Sequence, residues 1–211
     1  MASSPVPDYS RDDRLAVAVF GWSRTQPDTP QWQQAEDCGR LAAASGFTVF
    51  TGGYCGSMEA VSKGAREARD AAVPGSPAAS MEVVGVVVSG LFPDRALEGN
   101  RYLTEMRDST SMLNRIEQLT THSRYFLILP GTMGTLQELV TIWVQKVIHP
   151  GGLPRPVIVA FRDPWEQCCK GIAETLSIPP EQRTAIHFVD TPEEAIEFMR
   201  KDATCEIDGS L

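Results

Sequence analysis

The feature that most constrains this chain is a unit that occurs twice: an apolar run of strand length, a glycine-rich loop, and a stretch with helical periodicity. In the first copy, Phe47-Thr48-Val49-Phe50 runs into Thr51-Gly52-Gly53-Tyr54-Cys55-Gly56-Ser57-Met58 and then into a helical stretch at 59–69. In the second, Tyr125-Phe126-Leu127-Ile128-Leu129 leads to Pro130-Gly131-Thr132-Met133-Gly134-Thr135-Leu136-Gln137-Glu138 and on to Leu139-Val140-Thr141-Ile142-Trp143. A strand that feeds a helix through a short loop returns to its sheet by a crossover, which is the grammar of parallel sheets. The rest of the chain alternates in the same way. Strands are expected at 15–20, 47–50, 81–88, 157–161 and 186–189. Helices are expected at about 31–45 behind Asp28-Thr29-Pro30, at 60–72 and at 109–121, then from Thr135, after Asp163-Pro164 and after Thr191-Pro192. Segments 74–79, 91–104 and 149–154 read as loops or irregular connections. The expected fold is α/β, a Rossmann-like parallel sheet with helices on both faces, in one domain over 1–211 with loose ends at 1–13 and 202–211.

In an open parallel sheet, loops at the carboxyl ends of strands line one crevice, so both glycine loops are candidates for one ligand site. Glycine lets backbone approach a ligand closely, and the N-terminus of the following helix favours an anion such as phosphate. Glu138 falls one helical turn inside such a site. Two plainer readings stand beside this one. Thr135-x-x-Glu138 has the spacing of a capping box, and Gly52 or Gly53 taken singly needs nothing more than a tight strand-to-helix turn. The first loop reads GGYCG rather than GxGxxG, and no acid ends the next strand, so a dinucleotide fingerprint is not supported.

Composition narrows the function classes. The formal charge of −8 and the absence of a Lys/Arg cluster argue against nucleic acid as partner, although backbone amides and one or two arginines suffice for a single nucleotide. No apolar run is long enough for a membrane span, and 1–13 carries early acids without a signal core, which gives the expectation of a cytoplasmic protein with no membrane partner. Five cysteines without CxxC spacing point to reduced thiols, with Cys55 as a small apolar filler. His122, His149 and His187 are scattered, so no metal is expected. Ser57 and Ser89 lack a GxSxG elbow. Leu136, Leu139, Val140, Trp143 and Val147 form a stripe suited to core or subunit contact.

Three segments in order, Val17-Ala18-Val19-Phe20-Gly21-Trp22-Ser23, the TGGxxGxMEA stretch from Thr51 and the PGxxGTxxE stretch from Pro130, resemble the LONELY GUY (LOG) family over roughly 15–165. The run Met58-Glu59-Ala60-Val61-Ser62-Lys63-Gly64-Ala65-Arg66-Glu67-Ala68 is similar to the MEAxxxGAxEA of its bacterial branch. That resemblance implies a phosphoribohydrolase that releases the base from a nucleoside 5′-monophosphate, without a cofactor, usually as a homodimer or an assembly of dimers. The same family carries an older label of lysine decarboxylase. Carried over by motif, the catalytic pair falls on Arg115 and Glu138, and substrate or phosphate contacts fall on Ser23, Gly52, Gly53, Gly56, Met58, Glu105 and Met112. Gly131, Thr132, Met133, Gly134 and Thr135 complete that implied set.

Two positions depart from the family pattern: Thr132 stands in a PGTMGT loop where PGGxGT is usual, and Ile116 follows Arg115 where the family has lysine. The first adds a β-carbon where close approach is expected, and the second removes a positive charge. A non-catalytic nucleotide or molybdenum-cofactor carrier of the same fold is therefore the alternative to hydrolysis. Lysine decarboxylation would need a lysine to hold pyridoxal phosphate, and no sequence context nominates one.

Overall fold

The computed structural model describes residues 15–88, 99–148 and 156–207. Seven parallel strands form one sheet: β1 (Ala16–Phe20), β2 (Thr48–Thr51), β3 (Val83–Val87), β4 (Glu105–Asp108), β5 (Tyr125–Ile128), β6 (Val157–Phe161) and β7 (Ile186–Val189). Their order is β4-β3-β2-β1-β5-β6-β7. From β1 the chain builds outward to β4, then returns to place β5 on the other flank of β1, with Val17 opposite both Val49 and Tyr125. The order therefore reverses between β1 and β5, and the crevice outside their carboxyl ends is where open α/β sheets bind ligands. Both glycine loops open there.

Helices α1 (Pro30–Ala44), α2 (Ser57–Asp70), α3 (Pro77–Ser80), α4 (Met112–Thr121), α5 (Met133–Ile148), α6 (Arg162–Thr175), α7 (Pro180–Arg183) and α8 (Pro192–Ile207) connect the strands. Alternate residues of each central strand point to opposite faces, so the continuous apolar runs of β1, β3, β5 and β6 bury side chains on both. One face packs Val17, Val49 and Leu127 against α1, α2 and α8 through residues such as Ala35, Val61 and Met199. The other packs Ala18, Phe50 and Phe126 against α4, α5 and α6 through Leu119, Ile142 and Trp165. Each fully buried large side chain contributes roughly 1.5–3 kcal/mol, and aromatic pairs such as Phe47 with Tyr125, edge-on at 5.3 Å, add to that.

Several expectations need correction. The connection at 91–104 was expected to lead straight to a helix, but β4 intervenes. Its Glu-Met-Arg-Asp sequence has no buried run because among the described residues it is an edge strand paired only with β3, and charge on an edge deters pairing with another chain. The short helices α3 and α7 occupy stretches that gave no helical period, each starting on a proline. Residues from Asp202 are not all loose, since α8 continues to Ile207 and the Asp202 carboxylate accepts hydrogen bonds from Arg124 at 2.8 Å and Tyr125 at 3.0 Å. The apolar residues of α5 divide between two faces: Leu139, Ile142 and Trp143 are buried, whereas Val140, Val144 and Ile148 are exposed. The expectations for residues 1–13, Ser89, the 149–154 loop, including His149, and most of 91–104 lie outside the described residues.

Candidate active site

Arg115 is the fourth residue of α4 and is only 5% exposed. A buried guanidinium needs its donors satisfied, and backbone carbonyls from two strand ends do so. Its Nε donates to the carbonyl of Val86 at 2.7 Å, and Nη2 donates to that of Gly52 at 3.0 Å while lying 3.8 Å from Met58 Sδ. The guanidinium carbon stands 5.6 Å from the centre of the Tyr54 ring, a cation–π arrangement. The role of Gly52 follows from this. A β-carbon there would lie 1.7 Å from Nη2, so glycine at 52 makes room for Arg115 rather than directly for a ligand. Gly53 and Gly56 have φ of +75° and +71°, which lets the loop double back under the arginine before Gly56 opens α2.

Glu138 belongs to α5, which starts at Met133 rather than Thr135. The Leu136 N–H reaches the Thr132 carbonyl at 2.9 Å, making Thr132 the cap residue and Thr135 a buried residue of the first turn. Thr135 therefore cannot act as the N-cap of a capping box with Glu138. The first N–H groups of any helix lack partners within it, and here they rise from Thr132, Met133 and Gly134, all exposed. Met133 is 77% exposed, an apolar side chain at the lip of the crevice. A β-carbon at Gly131 would meet Thr135 Oγ1 at 2.2 Å, whereas one at Gly134 would meet nothing within 4 Å. The protein itself requires glycine at 131 but not at 134, which leaves open space over the helix start.

Glu138 as a residue is partly exposed, but its carboxyl is largely removed from water. Loss of hydration pushes its pKa up from 4.5 to about 7, against the downward pull of the Arg115 charge. The two residues named from sequence as a catalytic pair are thus electrostatically coupled. A carboxyl that titrates near neutrality beside a fixed cation is suited to proton transfer or to stabilising positive charge that develops during a reaction.

The remaining expected contacts divide. Ser23 is half-buried on the loop after β1, where its carbonyl accepts the Cys55 thiol at 3.2 Å, and Gly56 packs against the same loop. Cys55 is exposed, so it is a tie between loops rather than an apolar filler. Met112 lies one turn before Arg115 on α4. Glu105 is not brought to the crevice. It starts β4 opposite Val84, about 10 Å from the carboxyl edge at roughly 3.3 Å per residue, and pairs with Arg107 at 2.6 Å. Ile116 is buried at 6% exposure, so the missing lysine does not leave a gap in an open pocket wall. Sequence reasoning gave no role to Tyr54 or Asn100, both of which hold the loop beneath Arg115. The only signals were an aromatic inside a glycine cluster and an asparagine in a connection without period.

Residues 58–199, more than half of the chain, match the family model described as "possible lysine decarboxylase". The chain is 26% identical over 192 residues to the cytokinin riboside 5′-monophosphate phosphoribohydrolase LOG3 of Arabidopsis thaliana, covering 90% of this chain and 83% of that relative. It is 35% identical over 147 residues to the probable phosphoribohydrolase LOGL5 of Oryza sativa subsp. japonica, covering 65% of this chain but about half, 52%, of that longer relative. In fold it is similar to the molybdenum cofactor binding protein of Rippkaea orientalis, with a TM-score of 0.62 and 17% identity over 89% of this chain and 94% of that one.

Proposed function

The chain belongs to the family described as possible lysine decarboxylases, and from its site we propose that it hydrolyses the N-glycosidic bond of a nucleoside 5′-monophosphate. Water adds to the anomeric carbon, the carbon–nitrogen bond breaks, and the products are the free base and ribose 5-phosphate. The observation that carries this reading is the exposed start of α5 at 132–134, with Glu138 as the sixth residue of that helix and the buried Arg115 of α4 acting on its carboxyl. Phosphate would be held by the amides of 132–135, where the helix dipole favours an anion. Bond breaking builds positive charge on the ribose, as in glycoside hydrolysis, and an ionised Glu138 would stabilise that charge and orient the water. The Arg115 charge would favour the ionised form of Glu138 against the opposing effect of dehydration, and Arg115 would face the phosphate or the departing base. Relatives named as phosphoribohydrolases support the same reading.

Carriage of a cofactor without turnover is the second reading, favoured by the fold shared with the molybdenum cofactor binding protein. At 17% identity that likeness speaks to fold alone. Lysine decarboxylation is disfavoured by the lysine nearest the glycine loop in sequence. Lys63 is held as an ammonium by hydrogen bonds and charge from Glu36 and Glu67, the reverse of the lowered pKa that imine formation requires. The test is chromatographic detection of free base after incubation with AMP and isopentenyladenosine monophosphate, for wild type and Glu138→Gln. Release by wild type alone supports hydrolysis. Binding of either nucleotide by calorimetry without release favours the carrier.

A further inference from the structure

The backbone that receives Arg115 is itself held by two side chains, Tyr54 and Asn100. Tyr54 is 5% exposed. Its phenol oxygen accepts the Val88 N–H at 2.8 Å and donates to the Val88 carbonyl at 3.1 Å, pinning the glycine loop to the end of β3. The same ring lies beneath the Arg115 guanidinium. Asn100 holds the same loop through its backbone carbonyls. Its backbone N–H donates to the Gly53 carbonyl at 2.7 Å, and its Nδ2 donates to Gly53 at 3.3 Å, Tyr54 at 3.1 Å and Ser62 Oγ at 3.3 Å. Its Oδ1 accepts the Tyr102 N–H at 3.1 Å, so Asn100 also orders its own connection. Gly99, with φ +69°, permits this approach, since a β-carbon there would lie 2.9 Å from the Gly53 carbonyl oxygen.

We infer that Tyr54 and Asn100 are positioning residues for the proposed reaction, clamping the loop at 52–54 so that the Gly52 carbonyl and the Tyr54 ring fix the Arg115 guanidinium relative to Glu138. The inference rests on the hydrolase reading for its kinetic consequence, but its geometric claim stands apart from turnover. Tyr54 meets Arg115 directly through its ring, and Asn100 acts on it through the backbone of 53–54. With the clamp loosened, Nη2 loses a defined acceptor and the guanidinium moves within a crevice where placement matters. A misplacement of about 1 Å in a reacting constellation costs on the order of a hundredfold in rate. Glu138 would register the same displacement, because the nearby arginine is what opposes the upward push of dehydration on its carboxyl.

Tyr54→Phe keeps the ring and removes the two bonds to Val88. Asn100→Asp keeps the acceptor for Tyr102 and the backbone N–H that reaches Gly53, and removes the three side-chain bonds from Nδ2 to the loop and to Ser62. Two measurements on the full chain separate the possibilities: carbon-13 NMR titration of the Glu138 carboxyl, and base release from AMP as a function of pH. The expected result is a Glu138 titration moved to higher pH in both variants. Alongside it, kcat should fall by about tenfold to a hundredfold, KM should change little, and the rising limb of the pH profile should shift upward with the titration. A loss of thermal stability alone, with the Glu138 titration where it is in the wild type, would overturn the inference. So would variants that keep wild-type kcat and pH profile. If the wild type itself releases no base, the hydrolase reading fails, and the NMR titration still decides whether Tyr54 and Asn100 place Arg115.

Discussion

Two helices of this chain carry the same Thr-x-x-Glu spacing, Thr135 to Glu138 in α5 and Thr191 to Glu194 at the start of α8, and they use it in opposite ways. At α8 the motif closes the helix: the Glu194 N–H donates to Thr191 Oγ1 at 3.2 Å, and the Glu194 carboxylate accepts the Asp190 N–H at 2.8 Å. At α5 the cap falls three residues earlier, on Thr132, so Thr135 is buried in the first turn and the Glu138 carboxyl feels the charge of Arg115. What separates them is the preceding chain. Pro192 stands directly after Thr191 and fixes the helix start there, whereas glycine at 131 leaves room for the Thr135 side chain to fold back beneath the α5 start, where a β-carbon would meet its Oγ1 at 2.2 Å. Spacing alone, then, does not distinguish a cap from a site; the residue that sets the start of the helix does.

The largest expected effect is the loss of function from one glutamate and not the other. Glu138→Gln should lower kcat for base release by on the order of a thousandfold, in the range known for removal of a positioned acid or base, while Glu194→Gln should leave kcat unchanged. Steady-state assays on AMP check both. Equal loss in the two variants would mean that the substitutions act through stability, and the contrast between the helices would collapse.

The contrast should next appear in the pH dependence of folding. The Glu138 carboxyl holds its proton to about pH 7 in the folded chain and releases it near 4.5 when unfolded. Folding therefore takes up a proton between those values, and this residue's contribution to stability falls as pH rises from 4.5 through 7. Glu138→Gln abolishes that fall, so the variant should gain in Tm on the wild type above neutrality and show little difference below pH 4.5. Thermal melts across pH 4–8 measure it. A gain in stability with a loss of activity is the signature of a carboxylate kept in place for chemistry. A variant less stable than wild type at pH 8 would count against the crevice assignment.

Smaller still is the effect expected at the helix start itself. Gly134→Ala should raise KM for AMP several-fold, because the β-carbon enters the space over the α5 amides, and it should leave Tm unchanged or raise it, since alanine favours a helix by up to about 1 kcal/mol over glycine. Unchanged KM would place the phosphate elsewhere.

The sheet was legible in the sequence because buried parallel strands are uninterrupted apolar runs, as in Val157–Phe161, and the helices because proline, glycine and hydroxyl residues mark their ends, as at Thr29-Pro30. β4 was not, because an edge strand with one neighbour need not be apolar. In the site, Arg115 and Glu138 were reachable through a family resemblance, but the reason for Gly52 was not. Its neighbour Arg115 is 63 residues away in sequence, and nothing local shows that a glycine makes room for an arginine. Asn100 was illegible on the same ground: its partners lie 38 to 47 residues upstream, and an asparagine in a connection normally signals a turn.

The smallest effect isolates the cap. Thr191→Ala removes the oxygen that receives the Glu194 N–H and should cost about 1 kcal/mol, the usual loss when a threonine N-cap becomes alanine. For a domain of this size that is a drop of roughly 2–4 °C in Tm. The kinetic constants should stay at wild-type values, since α8 packs against α1 on the face of the sheet opposite α4 and α5. The matching change in the other helix, Thr135→Ala, has a different expected outcome. Thr135 is buried against Gly131, so its loss leaves a gap beneath the turn that presents the amides of 132–134, and KM should rise along with any fall in Tm. If both threonine variants lost stability alone, the two starts would be equivalent after all, and the open helix end would lose its claim as the phosphate site.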